Sequence, residues 1–422
     1  MNTVGVSNMS RRNIVLITLD CVRADHCSFM GYERKTTPTI DKMAKNGVYF
    51  KNAIASSVPT GPSMFALFTS RFLDTSKILD PNTVRSNFHK SKTLAEVLRK
   101  HGYETIAVHN HPWLSEIFGF NKGFKYYVYD ISEYITGYRK NIRWFLDFIK
   151  MEGTCLPWEK YYDRIVSQIK SLKEPWFLWT ILLDTHTPYI PPRKVRKWSR
   201  SNLKLLYYYT KLRFLKSKCD RKIKPVVDAY DDAILYADLF IKRLWEDLEK
   251  YDPIFIIHAD HGDGFGEHGF YHHPPMLYEE LIHIPLVIYN ADVEGCIENP
   301  FSLLKLSNII LNLVGIDDYL YSVKQYSINE IDDRDRWEVA QVFEDGKRKI
   351  AIRLKDWKYI IGQRGEELYN LRNDPHEQNN VINDYSDIAS DLRMLLNKFI
   401  KHEKELKNIR IKLKELNKNK HR

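Results

Sequence analysis

The sequence predicts an α/β protein: a doubly wound, mostly parallel sheet between helices, followed by a small C-terminal antiparallel α+β subdomain. Three observations lead there. Short apolar runs alternate with helical patterns, several runs stop at a polar residue, and the alternation changes after about residue 335. Runs of four to eight β-branched or aromatic residues suit strands buried on both faces of a parallel sheet. Strands interleaved with helices make a doubly wound sheet the economical way to bury them.

Taken in order, NIVLITLD ends at Asp20, TIAVHN at Asn110, PWFLWTILLD at Asp184 and PIFIIHAD at Asp260, and IPLVIYN (284–290) is a fifth run. Between them, KTLAEVLRKHG (92–102) is a helix stopped by glycine. YDDAILYADLFIKRLWEDLEKY (230–251) has its apolar residues at helical spacing. In such sheets ligands bind beyond the carboxyl ends of the strands. Asp or Asn stands there in four of these runs. Past residue 335, VAQVF, KIAIRL and WKYIIG read as short antiparallel strands, and from Asp387 a helix runs on with Leu392, Leu395, Leu396, Phe399 and Ile400 along one side. The expected organisation is a catalytic domain over 10–335, a small subdomain over 336–386 and a basic helical tail over 387–422.

The 422 residues are 44% hydrophobic and 28% charged, a globular balance that excludes disorder and fibrous repeats. The five cysteines (Cys21, Cys27, Cys155, Cys219, Cys296) are scattered and form neither a disulfide framework nor a CxxC zinc motif. Ile14 to Leu19 is too short for a signal-peptide core, and no stretch approaches a membrane span, so a cytoplasmic setting is expected. The net charge of +10 is concentrated: 13 Lys/Arg lie between Arg193 and Lys224 against Asp220 alone, and nine lie in the last 22 residues. The rest of the chain is slightly acidic.

Chemistry concentrates in two places. In HADHGDGFGEHG (258–269), Asp260 and His261 stand together at a strand end, and the glycines after them let the chain turn away from a bound cation. Asp20 offers another carboxylate. In SSVPTGPSMFALFTSRF (56–72), Thr60 precedes a helical run starting near Ser63, where the field of a helix N-terminus favours an anionic ester. Beside a cation, such a hydroxyl can ionise and attack phosphorus or sulfur.

Together these segments resemble the sulfatase-like branch of the alkaline phosphatase/sulfatase superfamily. The resemblance runs in order through LITLDCVRADHCSFMGYERKTTPTIDKMAKNGVYFKNAIA (16–55), TGPSMFALFTSR (60–71), LLDTHTPYIPP (182–192), HADHGDGFGEHG with LYEELIHIPLVIY (277–289), and ELYNLRNDPHEQNNVI (367–382). It implies an alkaline phosphatase-like fold. It also implies that Asp20, Asp260 and His261 hold a divalent cation (Ca, Mg, Mn or Zn not resolved), that Thr60 is the nucleophile, and that His186 protonates a leaving oxygen or binds the anion. Asp184 and His273 become candidates for a second cation, Arg71 for structural or charge-stabilising work, and Asn110 and His111 stand where sulfatases carry a Lys and a His. His268 is expected to support its loop.

Two departures bear on the reaction. Thr60-Gly61-Pro62-Ser63-Met64 replaces Cys/Ser-x-Pro-x-Arg, so formylglycine is not expected and direct threonine chemistry, with phosphoryl groups favoured, is. Cys21 stands where many sulfatases have a second carboxylate. The expected substrate is a small-molecule, glycan- or lipid-linked anionic ester, handled by a hydrolase or a phosphotransferase. The 193–224 insertion, with Trp198, Tyr207, Tyr208, Tyr209 and Phe214 among its cations, is a candidate lid or patch for an anionic membrane surface, and nucleic acid is not the expected partner. An inactive anion- or nucleic-acid-binding scaffold is the alternative of another class. Oligomeric state has no signal.

Overall fold

The computed structural model describes residues 11–129 apart from 74 and 79, 157–199, 201, 205, 207, 224–320 and 337–419. Its central sheet has eight strands: β1 (Ile14–Leu19), β2 (Gly47–Ile54), β3 (Glu104–His109), β4 (Tyr126–Tyr129), β5 (Trp176–Leu182), β6 (Ile254–Ala259), β9 (Leu286–Tyr289) and β10 (Gly295–Ser302). A two-stranded ribbon, β7 (Gly264–Phe265) with β8 (Tyr271–His272), lies outside it. The order across the sheet is β10-β2-β9-β6-β1-β5-β3-β4.

β1 runs parallel to both β5 and β6, with Leu19 level with Leu182 on one side and Ala259 on the other. That register fixes the site. Adjacent strands lie about 4.8 Å apart, so the residues leaving three strand ends emerge side by side. Asp20 N–H donates to Leu182 O at 3.1 Å and Asp260 N–H to Leu19 O at 3.4 Å, carrying the alignment one residue beyond the strands. The apolar runs are buried throughout, as expected of a sheet covered on both faces.

One of the five expected strands departs from the parallel pattern. β9 is antiparallel to both β2 and β6. Its run of Leu, Val and Ile satisfies either direction, so composition carried no sign of it. The helix expected near Ser63 begins at Thr60 and is Thr60–Thr69. The 230–251 pattern belongs to the longer helix Lys224–Leu248.

That long helix contributes buried acids to its surroundings. The Asp238 carboxylate accepts the Thr39 and Ile40 N–H groups, capping the helix Pro38–Lys45 from another element. Asp231 receives Arg34 and Tyr32, and it pairs with His26. Asp232 accepts N–H groups of Lys197, Trp198 and Ser199. Those three residues lie early in the basic insertion, most of which, including Tyr208, Tyr209 and Phe214, lies outside the described residues.

The second sheet runs β11 (Trp337–Glu344), β12 (Lys347–Leu354), β13 (Trp357–Gly362) and β14 (Gly365–Asn370), all antiparallel. It packs with Leu392, Leu396 and Phe399 of the helix Ser386–Asn419 in a separate apolar cluster. Fully buried Lys358 ties it to the main body through Glu279 at 3.0 Å and also holds Glu377 of its own segment at 2.7 Å. Gln341 also pins the approach to Thr60: its N–H donates to Ser56 O, and its carbonyl accepts from Ser57 Oγ. Among the described residues no helix is long and apolar enough to cross a membrane.

Candidate active site

Asp20, Cys21, Asp260, His261 and Asp263 are all wholly buried at the carboxyl edge of the sheet, and Thr60 is 5% exposed. Cys21 takes a left-handed backbone (φ 63°), which turns the chain sharply after β1. Tyr230 clamps that turn, its hydroxyl donating to Cys21 O at 2.7 Å and accepting from Arg23 N–H at 2.8 Å. The turn brings the Cys21 N–H to Asp260 Oδ1 at 3.1 Å, where the His261 N–H also donates at 2.8 Å. Asp260 is therefore held by backbone from two strand ends. Gly262 must follow, because a Cβ there would meet Glu280 O at 2.1 Å.

Thr60 opens the helix Thr60–Thr69, and Ser63 Oγ anchors that helix by donating to Asp260 O at 2.7 Å. Thr60 Oγ1 lies 3.2 Å from His261 Nε2. The His261 Nδ1 faces Gly262 O at 2.8 Å. A carbonyl only accepts, so Nδ1 carries the proton and Nε2 presents a lone pair to the threonine. Met64, where the resembled motif has arginine, is fully buried in the main apolar cluster, so packing absorbs that departure.

His186 follows the same pattern, with Nδ1 2.9 Å from Thr187 O and its Nε2 lone pair left over. His273 Nδ1 lies 3.3 Å from Asp263 Oδ1, and Tyr189 donates its hydroxyl to the other Asp263 oxygen. The His273 ring sits 4.7 Å from His261 and 5.4 Å from His186, centroid to centroid. His111 is the opposite case. Its Nδ1 accepts the Trp113 N–H at 3.2 Å, so Nε2 bears the proton, 3.3 Å from Asp20 Oδ2. It supports Asp20 and is not a lone-pair donor.

The electrostatics follow from burial. Burial alone would raise the Asp20 carboxyl, but His186, His111 and His261 around it outweigh that and hold it well below the usual carboxylate range. Burial, with Asp20 as a like charge, pushes Asp260 up to about 7. Burial brings His261 down to about 4 and lowers His186 as well. His273 is raised, because the Asp263 carboxylate overrides the burial that would lower it. Burial and the surrounding carboxylates push the Cys21 thiol far up.

These residues fit a divalent cation. Asp260 Oδ2 is a buried oxygen that receives no aligned hydrogen bond from the described residues, and Asp20 Oδ2 has only the long His111 contact at 3.3 Å. Buried carboxylate oxygens so sparsely satisfied, facing an imidazole lone pair, form the donor set a cation completes. Asp20, Cys21 and His261 offer ligand atoms within 4.8 Å of one another, and Cys21, His186 and His273 form a second such group.

Of the expected site residues, Asp20, Thr60, Asp260, His261, His186, His273 and His111 come together, with Asn110 buried beside His111. Asp184 does not join them. It sits in the turn Leu183–Thr185, where Oδ1 accepts the Trp158 N–H at 3.3 Å. Arg71 lies past the far end of the threonine helix, roughly 15 Å along its axis at 1.5 Å per residue, with Nη1 donating to Ser91 Oγ. His268 supports its loop, stacked on Tyr278 with ring centroids 3.8 Å apart and bound to Glu280. Sequence reasoning missed Asp263, although it lies within the quoted glycine-rich segment. It also missed buried Arg23, which ties the β1 turn to Glu267 and to Asp263 O.

The family model described as Sulfatase matches residues 12–316. An arylsulfatase of Clostridium perfringens (strain 13 / Type A) is 25% identical over 464 residues, covering 93% of this chain and 95% of that one. A phosphoethanolamine transferase of Helicobacter pylori is 23% identical over 288 residues, 67% of this chain and 48% of the transferase. The crystal structure of the phosphonate monoester hydrolase of Agrobacterium radiobacter superposes with a TM-score of 0.70 at 18% identity, over 92% of this chain and 95% of the hydrolase. That last likeness establishes the fold.

Proposed function

The chain belongs to the sulfatase family, and from that premise we propose that it is a cation-dependent phosphoric or sulfuric ester hydrolase in which Thr60 is the direct nucleophile. The observation that carries this reading is Thr60 Oγ1 at a helix N-terminus, 3.2 Å from a His261 lone pair and beside two buried carboxylates with sparsely satisfied oxygens.

His261 could serve Thr60 either as a base or by sharing a cation with it. Burial, which brings its pKa down to about 4, favours the second: such a ring is a poor base for a hydroxyl at neutral pH. A lone pair fixed by Gly262 suits a cation ligand. Asp20, Asp260 and His261 would hold the cation. When bound, it supplies charge neutralisation and a lowered pKa for the neighbouring hydroxyl.

The remaining work falls to the chain. The helix N-terminus directs its N–H groups at the anionic ester, and Ser63 keeps that helix docked on the Asp260 backbone. His111 keeps Asp20 oriented through its Nε2 proton. Thr60 Oγ loses its proton to solvent and attacks phosphorus or sulfur, the bond to the leaving oxygen breaks with water supplying the proton that oxygen takes up, and a second water then hydrolyses the threonine ester. His186 shows the centre a lone pair, which favours cation binding over the leaving-group protonation also expected of it. Substrate approaches from the side of His186 and His273, the partly exposed members of the cluster.

Threonine cannot be converted to formylglycine by the route open to cysteine or serine, so elimination of sulfate from an aldehyde hydrate is closed to this chain. A direct threonine ester favours phosphoryl chemistry. A glycan- or lipid-linked ester would suit the basic segment that opens at Arg193, and transfer to an acceptor alcohol is the second reading, supported by the similarity to the Helicobacter pylori transferase. The test is a panel of aryl phosphate mono- and diesters and aryl sulfates, each with Ca, Mg, Mn or Zn, with and without acceptor alcohols. Cation-dependent cleavage with diesters ahead of sulfates is expected. Cleavage that is indifferent to chelation sinks the reading.

A further inference from the structure

We propose that Cys21, His186 and His273 form a second cation site beside the first, one whose sulfur and two nitrogens take zinc or a similar transition metal in preference to calcium or magnesium. The inference rests on the reading of Asp20, Asp260 and His261 as the first cation site and adds the thiol to it.

Geometry is the first support. Cys21 Sγ and ring nitrogens of His186 and His273 lie within 4.8 Å of one another. With His273 Nδ1 donating to Asp263, Nε2 is the nitrogen left for a metal. Zinc bonds of about 2.3 Å to sulfur and about 2.0–2.1 Å to nitrogen place tetrahedral donors about 3.4–3.6 Å apart. Small side-chain adjustments complete the fit.

The second support is orientation. Each ring has a partner of the kind that positions a metal-binding histidine: Thr187 O for His186, and Asp263, itself held by Tyr189, for His273. The backbone of Cys21 is fixed by Tyr230 and by its own N–H to Asp260, which holds the base of the thiol at the cluster. The partial exposure of the two histidines leaves a fourth position open to water or substrate.

Donor chemistry supplies the selectivity. Calcium and magnesium prefer oxygen ligands, whereas thiolate and imidazole favour zinc, cobalt and copper. Cys21 also groups with Asp20 and His261, so its sulfur reaches both positions. In the cation-free chain its S–H donates to Asp20 Oδ1 at 3.0 Å. Binding breaks that S–H bond, forms the sulfur–metal bond and releases the proton to solvent.

The experiment uses the full chain, stripped with a chelator and titrated with zinc or cobalt. Native mass spectrometry counts cations, and absorption reads the sulfur-to-cobalt charge-transfer band in the near ultraviolet. Two cations per chain and a charge-transfer band are expected. Cys21→Ser should drop the count to one and remove the band. His273→Gln should also drop the count to one, and it keeps the test open if the serine variant fails to fold. One cation without the band overturns the inference and leaves the first site standing. A band that survives in Cys21→Ser also overturns it, and binding of no cation overturns both readings.

Discussion

Replacing Asp260 with Asn should stabilise the cation-free protein and abolish its stabilisation by calcium or magnesium. Asp20 and Asp260 are wholly buried at neighbouring strand ends, and burial together with the Asp20 charge pushes Asp260 up to about 7. A carboxyl raised in this way contributes its stability below its ordinary value near 3.8 and loses it as pH rises through about 7. At pH 8 the ionised group is therefore carried at a cost of at most about 4 kcal/mol, at 1.36 kcal/mol per unit. Asparagine keeps Oδ1 for the Cys21 and His261 N–H groups, so it relieves the charge without freeing backbone. For 422 residues the unfolding entropy is about 0.9 kcal/mol/K, so recovering half of that bound raises Tm by about 2 °C. A cation at 100 times its Kd adds about 2.7 kcal/mol, or about 3 °C, to the native protein and nothing to the variant. Scanning calorimetry at pH 8, in chelator and then with calcium or magnesium, which the Cys21, His186 and His273 donors disfavour, reads both effects. A variant less stable than the native protein in chelator, or one still stabilised by calcium or magnesium, refutes the reasoning.

Three further outcomes follow from the same geometry. Thr60→Ala should lower steady-state turnover of an aryl ester by at least about 10⁴-fold while costing only about 1 kcal/mol for the lost His261 contact, and Thr60→Ser should retain most activity. Equal activity in the alanine variant removes Thr60 from the mechanism. Lys358→Met leaves Glu377 buried without its cation, while Glu279 keeps Arg353, and should cost about 3 kcal/mol, seen in calorimetry as a Tm lower by several degrees. An unchanged Tm would mean that Glu377 is neutral in the native state. His258, lowered to about 4 by burial, accepts a proton in the unfolded chain near 6.5 but not in the folded one. Stability should thus fall by about 3 kcal/mol as pH drops from 6.5 to 4, and the decline should be shallower in His258→Asn. Identical pH profiles of Tm count against it.

Much of the site was legible because parallel strands simplify the problem. Once Asp20 and Asp260 are recognised at the ends of buried runs, a shared register makes them neighbours, and His261 comes with Asp260. Thr60 was legible as a hydroxyl before a helix. Strand direction was not: the residues of β9 pack equally well either way, and their antiparallel pairing depends on partners distant in sequence. Gly365–Asn370 is a strand within a segment that composition marks as turns, because its ladder with Trp357–Gly362 outweighs local preference. Cys21 read as the loss of a carboxylate. Its place at the centre depends on a left-handed residue and on Tyr230 some two hundred positions away. Asp184 and His186 are two residues apart and equally polar, yet the turn Leu183–Thr185 sends the first toward Trp158 and leaves the second facing His273.

The central step is formation of a covalent ester at Thr60. The protein, loaded with cation and mixed with an activated aryl phosphodiester, is quenched in acid at the earliest accessible times, and its intact mass and peptide map are measured. A substrate-derived phosphoryl adduct confined to the peptide containing Thr60, and absent from Thr60→Ala, is predicted. Turnover with the adduct on another residue, or with no adduct at any time, would contradict the account.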